Sequence, residues 1–216
     1  MMAISMSFIV HERKARSFAR MNENPLVDGE IVLRCVEKED LTGLYELIYS
    51  EDVPEWKQWD APYYALEHES YEDFERSMSR RLEATRSNAD PDSIRIIELN
   101  GRIVGTISYY WEHRPSLWLE MGIVLYRSAQ WGHGIGTRVL QMWSSHLFEQ
   151  LPIVRVGLTT WSGNERMMRS ASKAGLQVEG RMRKCRIVDG KHYDSIRMGM
   201  LREEWEQMRI MAQVEM

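Results

Sequence analysis

Apolar and polar positions recur along the chain with periods that sort most of it into helices and strands. Residues 31–36 form an apolar run suited to a buried strand. Behind the charged stretch 37–40, Leu41, Leu44, Tyr45, Leu47 and Ile48 return at helical spacing. The period then fails between 52 and 67, where two prolines, Trp56, Trp59, Tyr63 and Tyr64 predict a loop. Such a loop either lines a site or is pinned by its own aromatic rings. From 69 to about 85, Tyr71, Phe74, Met78 and Leu82 share one helical face.

Strands are predicted over 93–99 and 102–111, joined by Asn100-Gly101, a strong two-residue hairpin signal. Alternation in the second places Ile103, Gly105, Ile107, Tyr109 and Trp111 on one face. Residues 117–126 continue the sheet, 155–160 add a strand, and 178–188 and 192–200 flank a second hairpin turn at Asp189-Gly190. Residues 203–211 read as a terminal helix. The order β-α-α-β-β-β-α-β-α-β-β describes a mixed α/β (α+β) sheet, not a regular alternation. Residues 1–28 match no packing pattern and are expected to be an extension, with Phe8, Ile9 and Phe18 on a short helix and Met21 as an alternative start. Residues 29–216 are expected to form a single domain.

Composition narrows the classes. A chain of 216 residues with 44% hydrophobic and 28% charged residues is ordinary for a globular protein. Its net charge of −4 offers no field for nucleic acid. Cys35 and Cys185 stand far apart without a CxxC pattern and are expected to remain thiols in a reducing cytoplasm. No apolar run reaches the roughly 18 residues of a membrane span. The charges near the start follow the apolar part, which excludes a secretory signal. No His, Cys, Asp or Glu spacing suggests a metal site.

The candidate chemistry lies after residue 120. An apolar run at 121–126 is followed by glycines at 132, 134 and 136, and then by Ile135, Val139, Leu140, Met142, Trp143 and Leu147 at helical spacing. Glycines at the mouth of a helix let backbone N–H groups approach an anion, and the helix dipole favours negative charge there. The stretch reads as a phosphate cradle. A dinucleotide fingerprint is poorly matched, because the third glycine falls at 136 and no acidic residue follows at the required distance. A P-loop is absent, and a glycine-rich turn without a ligand remains an alternative.

The run Trp131-Gly132-His133-Gly134-Ile135-Gly136-Thr137-Arg138 resembles the pyrophosphate loop of the GNAT acyl-CoA N-acyltransferases, (Arg/Gln)-x-x-Gly-x-(Gly/Ala). Trp131 in the leading place resembles the Rim-type branch, which includes ribosomal-protein N-terminal acetyltransferases. A second block, with Asn164 opening a helix and Lys173-Ala174-Gly175-Leu176 closing it, is similar to the matching GNAT segment. The resemblance spans about residues 30–205. It implies a largely antiparallel twisted sheet flanked by helices, with the predicted fourth and fifth strands (117–126 and 155–160) splayed apart. It also implies acetyl-CoA as co-substrate and an amine acceptor. Nucleic acid and membrane are not expected as partners, and a homodimer is left open.

On that resemblance the cofactor is expected to meet the backbone of Val124, Leu125 and Tyr126. The loop amides of Trp131, Gly132, His133, Gly134, Ile135, Gly136 and Thr137, with Arg138 and Asn164, complete the expected set. Arg166, Arg169 and Lys173 are read as a solvated helix face. Glu120 shares a face with Val124 and is the candidate base, with an ion pair to an arginine as the competing role. The tyrosine that many GNAT enzymes use as general acid is replaced by Ala171, which leaves Ser170, Tyr126 and Tyr193 as candidates. The leading expectation is acetyl transfer to a primary amine: a protein N-terminus, a polyamine or an antibiotic. A non-catalytic acyl-CoA sensor and a plain nucleotide-phosphate binder are the competitors.

Overall fold

The computed structural model describes residues 24–87 and 90–214. The expected N-terminal helix and the alternative start at Met21 lie outside the described residues. Among the described residues, eight strands form one sheet in the order β1-β2-β3-β4-β5-β6-β8-β7. They are β1 (Leu26–Asp28), β2 (Ile31–Cys35), β3 (Ile94–Leu99), β4 (Arg102–His113), β5 (Trp118–Leu125), β6 (Arg155–Trp161), β7 (Gln177–Val188) and β8 (Lys191–Leu201). Among the described residues β5 and β6 run parallel, and every other neighbouring pair is antiparallel. The helices are α1 (Asp40–Tyr49), α2 (Tyr71–Ser87), α3 (Ile135–Gln150), α4 (Glu165–Lys173) and α5 (Arg202–Val214). Among the described residues, no helix is long and apolar enough to cross a membrane.

Two clusters hold the layers together. On one face Val139, Leu140, Trp143 and Leu147 of α3 pack on Ile107, Leu119, Met121, Val156 and Met198, and Trp205 of α5 stacks on Phe148 at 5.1 Å. On the other, Leu41 and Leu44 of α1 and Phe74 and Met78 of α2 close over Ile94 and Ile96. Both hairpin turns have positive φ at their two central residues, Asn100 and Gly101 (51° and 73°) and Asp189 and Gly190 (49° and 73°). That is the conformation matching the right-handed twist of the strands they join.

Two expectations change. The sheet begins at Leu26, so β1 lies within the expected extension and the β1–β2 hairpin crosses the boundary expected between residues 28 and 29. Its three residues are too few to show a period, although Asp28-Gly29 carries the hairpin signal. Along β4, Ile103 pairs with Glu98 and Gly105 with Ile97, leaving Val104 as the extra residue of a bulge. Val104 therefore joins Ile107 and Tyr109 against α3, while Ile103 turns to the α1/α2 cluster.

Gly105 sits where β4 meets the end of β5, and a Cβ there would collide with the Val124 carbonyl oxygen. G105A is expected to cost roughly 1–3 kcal/mol of stability by overpacking. G43A in α1, with nothing within 4 Å of the added methyl, is expected to gain about 0.5–1 kcal/mol by helix propensity. Urea denaturation midpoints of the two variants check both signs.

Candidate active site

Pairing between β5 and β6 stops early. The strands share Trp118↔Arg155, Leu119↔Val156 and Glu120↔Gly157. Beyond that point β5 stays with β4 as far as Leu125, and β6 stays with β8 as far as Trp161. Main-chain groups of alternate residues point to opposite sides of a strand. Tyr126 N–H donates to the Val104 carbonyl at 2.9 Å, and the Val124 carbonyl faces Gly105. Even-numbered residues thus address β4, while the amides of Ile123 and Leu125 point into the gap. The Leu125 carbonyl accepts from Trp131 Nε1 at 2.9 Å, which ties the glycine loop to the strand end.

A cavity of about 470 Å³ runs from this gap to the glycine loop, a size suited to a small-molecule site. Gly132 and Gly134 have φ of 82° and 80°, and an added Cβ at either would meet nothing within 4 Å. Backbone conformation, not space, requires glycine there. The first-turn amides of α3 have no intrahelical acceptor, and Arg138 N–H, at 3.2 Å from the Gly134 carbonyl, starts the helical ladder. Arg166, Arg169 and Lys173 of α4 line the same cavity. Their spacing puts them on one helix face, so this end of the cavity is cationic.

The opposite end is walled by the segment after α1. A short 3-10 turn, Glu55–Gln58, carries Trp56, and Trp59, Asp60, Ala61 and Tyr63 follow along the cavity. The Trp59 carbonyl accepts from Trp161 Nε1 at 3.0 Å and from Asn164 Nδ2 at 2.9 Å. The other end of the Asn164 amide caps α4 by accepting from Met167 N–H at 3.0 Å. Arg166 lies 4.6 Å over the Trp59 ring and 5.3 Å from that of Trp131. Desolvation at the cavity wall pushes the Asp60 carboxyl above its usual value, with the Lys57 charge opposing it, although the residue as a whole is exposed.

Of the expected residues, Val124, Leu125, Trp131, Gly132, Gly134, Ile135, Gly136, Thr137, Asn164 and Ser170 line the cavity. Four lie elsewhere. The exposed His133 does not line the cavity. Arg138 is committed to the β1–β2 turn, bonding Asp28 Oδ2 at 2.6 Å, the Asp28 carbonyl at 2.7 Å and Glu30 Oε1 at 2.7 Å. Tyr126 turns its phenol to Thr106 Oγ1 at 3.1 Å, against Trp56, and burial pushes it up to about 12. That phenol is a poor proton donor to a thiolate. Glu120 is 1% exposed. It accepts from Thr159 Oγ1 at 2.8 Å and lies 3.9 Å from Arg155 Nη1 and 3.7 Å from Arg197 Nη1. Its carboxylate clamps the root of the fork beneath the cavity. Tyr193 packs edge-on against Trp161 at 4.8 Å. Sequence reasoning did not single out Asp60, although it lies in the aromatic loop, and it chose Arg138 as the cation of the site, whereas the cations lining the cavity are those of α4.

The family description "Acetyltransferase (GNAT) domain" matches residues 30–177. The chain belongs to the GNAT acetyltransferases. Its activity is that of an acetyl-CoA-dependent N-acetyltransferase. YdaF of Bacillus subtilis (strain 168), named as a proposed ribosomal N-acetyltransferase, is 25% identical over 183 residues, covering 83% of this chain and 96% of YdaF. RimL, the ribosomal L7/L12 alpha-N-protein acetyltransferase, solved with coenzyme A, superposes with a TM-score of 0.66 at 18% identity, covering 82% of this chain and 98% of that one. Spermidine N-acetyltransferase from Vibrio cholerae, solved with CoA and spermine, gives 0.67 at 15% identity over 82% of this chain and 99% of its own. At these identities the two structures establish the GNAT fold.

Two outcomes follow from the placement of charge. E120Q is expected to lower stability by about 2 kcal/mol, below the 3–5 of a wholly buried pair, because Arg197 is 41% exposed in its side chain; chemical denaturation reads it. R138A should lower stability and leave acetyl-CoA affinity unchanged, whereas R169A combined with K173A should weaken acetyl-CoA binding about tenfold by removing charge-assisted contacts. Calorimetric titration of acetyl-CoA separates the two cases.

Proposed function

We propose that this GNAT enzyme acetylates a primary amine, a protein N-terminus or a small-molecule amine, by direct attack within a ternary complex. The early parting of β5 from β6 carries the reading, because it opens a cavity with unpaired amides at its centre, glycine amides at one end and an aromatic wall at the other. The donor set fits a nucleotide-linked thioester. Amides of the glycine loop and of the first turn of α3 hold the diphosphate, assisted by Arg169 and Lys173. The Ile123 and Leu125 amides run beside the pantetheine and donate to the thioester oxygen as charge develops on it. One such donor is typically worth about 100- to 1,000-fold in rate.

The leaving thiolate, with a solution pKa of about 8.5, departs without a dedicated acid, which accommodates Ala171 where a tyrosine stands in many relatives. Asn164 acts through the chain: it caps α4 and holds the Trp59 loop in place. Cytoplasmic residence belongs to the same proposal, since Cys185 is an exposed thiol that a reducing compartment preserves.

Incubation with acetyl-CoA and a panel of amines, read by release of free thiol, is the test. Amine-dependent release is expected, and G134V, which forces a side chain onto a φ of 80°, should abolish both release and acetyl-CoA binding. Tight acetyl-CoA binding without turnover on any amine would instead identify a sensing module.

A further inference from the structure

The cavity holds an ionisable side chain that the steps above leave without a task. Asp60 lines it together with Trp56, Trp59, Tyr63 and Trp161. Its backbone is engaged: Asp60 N–H donates to the Trp56 carbonyl at 3.2 Å, and the Asp60 carbonyl accepts from Lys57 Nζ at 2.8 Å. Its carboxylate, among the described residues, receives no hydrogen bond. Desolvation at the cavity wall raises the free energy of the charged form, the nearby Lys57 charge opposes this, and the residue as a whole stays exposed. Aromatic faces around an unpartnered carboxylate make a receptor for an organic cation.

We propose that Asp60 receives the acceptor's ammonium and removes its proton, and that the acceptor is a primary amine with one positive charge on an apolar or aromatic body. The assignment rests on the acetyl-transfer reading and deepens it. The Asp60 carboxylate takes one N–H proton, and the freed nitrogen lone pair forms the N–C bond to the thioester carbonyl carbon. As the C–S bond breaks with its electrons leaving on sulfur, the nitrogen gives its second N–H proton to solvent and becomes the neutral amide, and the proton on Asp60 returns to the sulfur through solvent. The restriction to one charge comes from the groups around the recess. Lys57 approaches from the same turn, and the Arg166 guanidinium covers the Trp59 ring from α4 at 4.6 Å. The Tyr126 phenol stands on the remaining side, neutral and held by Thr106. A second ammonium on the acceptor would meet two like charges and no second free carboxylate in the cavity lining.

Steady-state kinetics on wild type, D60N and D60E, with phenethylamine, putrescine and spermidine as acceptors, test the assignment beside calorimetric binding of acetyl-CoA. Wild type should prefer phenethylamine over spermidine by about tenfold or more in kcat/KM, as like-charge juxtaposition requires. D60N should lose about 100-fold or more, the usual worth of a general base, with acetyl-CoA affinity unchanged. A base with a raised pKa works above that pKa and fails below it. The wild-type rate should therefore fall on acidification above the ordinary carboxylate range, D60N should lose that limb, and D60E should restore part of it. Turnover by D60N at the wild-type rate with the same acid limb would overturn the role of Asp60 and leave acetyl transfer standing. Spermidine as the best acceptor would overturn the single-charge class, and this comparison needs no variant. Wild type that binds acetyl-CoA yet acetylates none of the three amines would overturn the acceptor class assigned to Asp60 and leave acetyl transfer to a protein N-terminus standing.

Discussion

A sheet strand that loses its neighbour must find other partners for its main chain, and the whole of this molecule is arranged around one such loss. β5 and β6 are held together for three residue pairs and then part. At the last pair, Glu120 draws Thr159 and Arg155 of β6 and Arg197 of β8 to one buried point. Isolated, such a carboxylate would be costly to bury; between two guanidiniums it fixes where the strands separate. Above it, the freed edge of β5 is bounded by the glycine loop, whose Trp131 indole takes the terminal carbonyl. The opening is therefore limited at both ends.

The cavity above the fork is electrically divided. One end gathers the N-terminus of α3 with Arg169 and Lys173 of α4, Arg166 lies over the Trp59 ring between the two, and the other presents a single carboxylate among indole and phenol rings. Between them lie the β5 amides, where chemistry on a carbonyl needs its donors. A polyanionic tail and a cationic nucleophile would each be attracted to a different end, so the field sets their relative orientation before any contact is made.

Much of this was legible in the residue order. Hairpins at Asn100-Gly101 and Asp189-Gly190, the strand leading to the glycine loop and the amphipathic faces of α1, α2 and α3 all follow from local rules that the tertiary structure leaves intact. Ile103 was misplaced because a bulge shifts parity by one residue, and nothing local in an apolar run reveals a bulge. Arg138 and the α4 cations could not be told apart in the sequence, because each reads as positive charge on the exposed face of a helix. Only the docking of the β1–β2 turn beside α3 decides which are taken. Glu120 was placed on the correct strand, but its burial depends on two arginines distant in sequence. Asp60 was hidden in a loop without periodicity, where no spacing rule applies.

The small amide of Asn164 has a wider effect. One end caps α4, whose cations line the cavity, and the other grips the carbonyl of Trp59 in the aromatic wall. The two half-sites are thus mechanically joined through a single side chain. Whatever ordering the first ligand imposes on this hinge is ordering the second need not supply, and by thermodynamic reciprocity each would tighten the other.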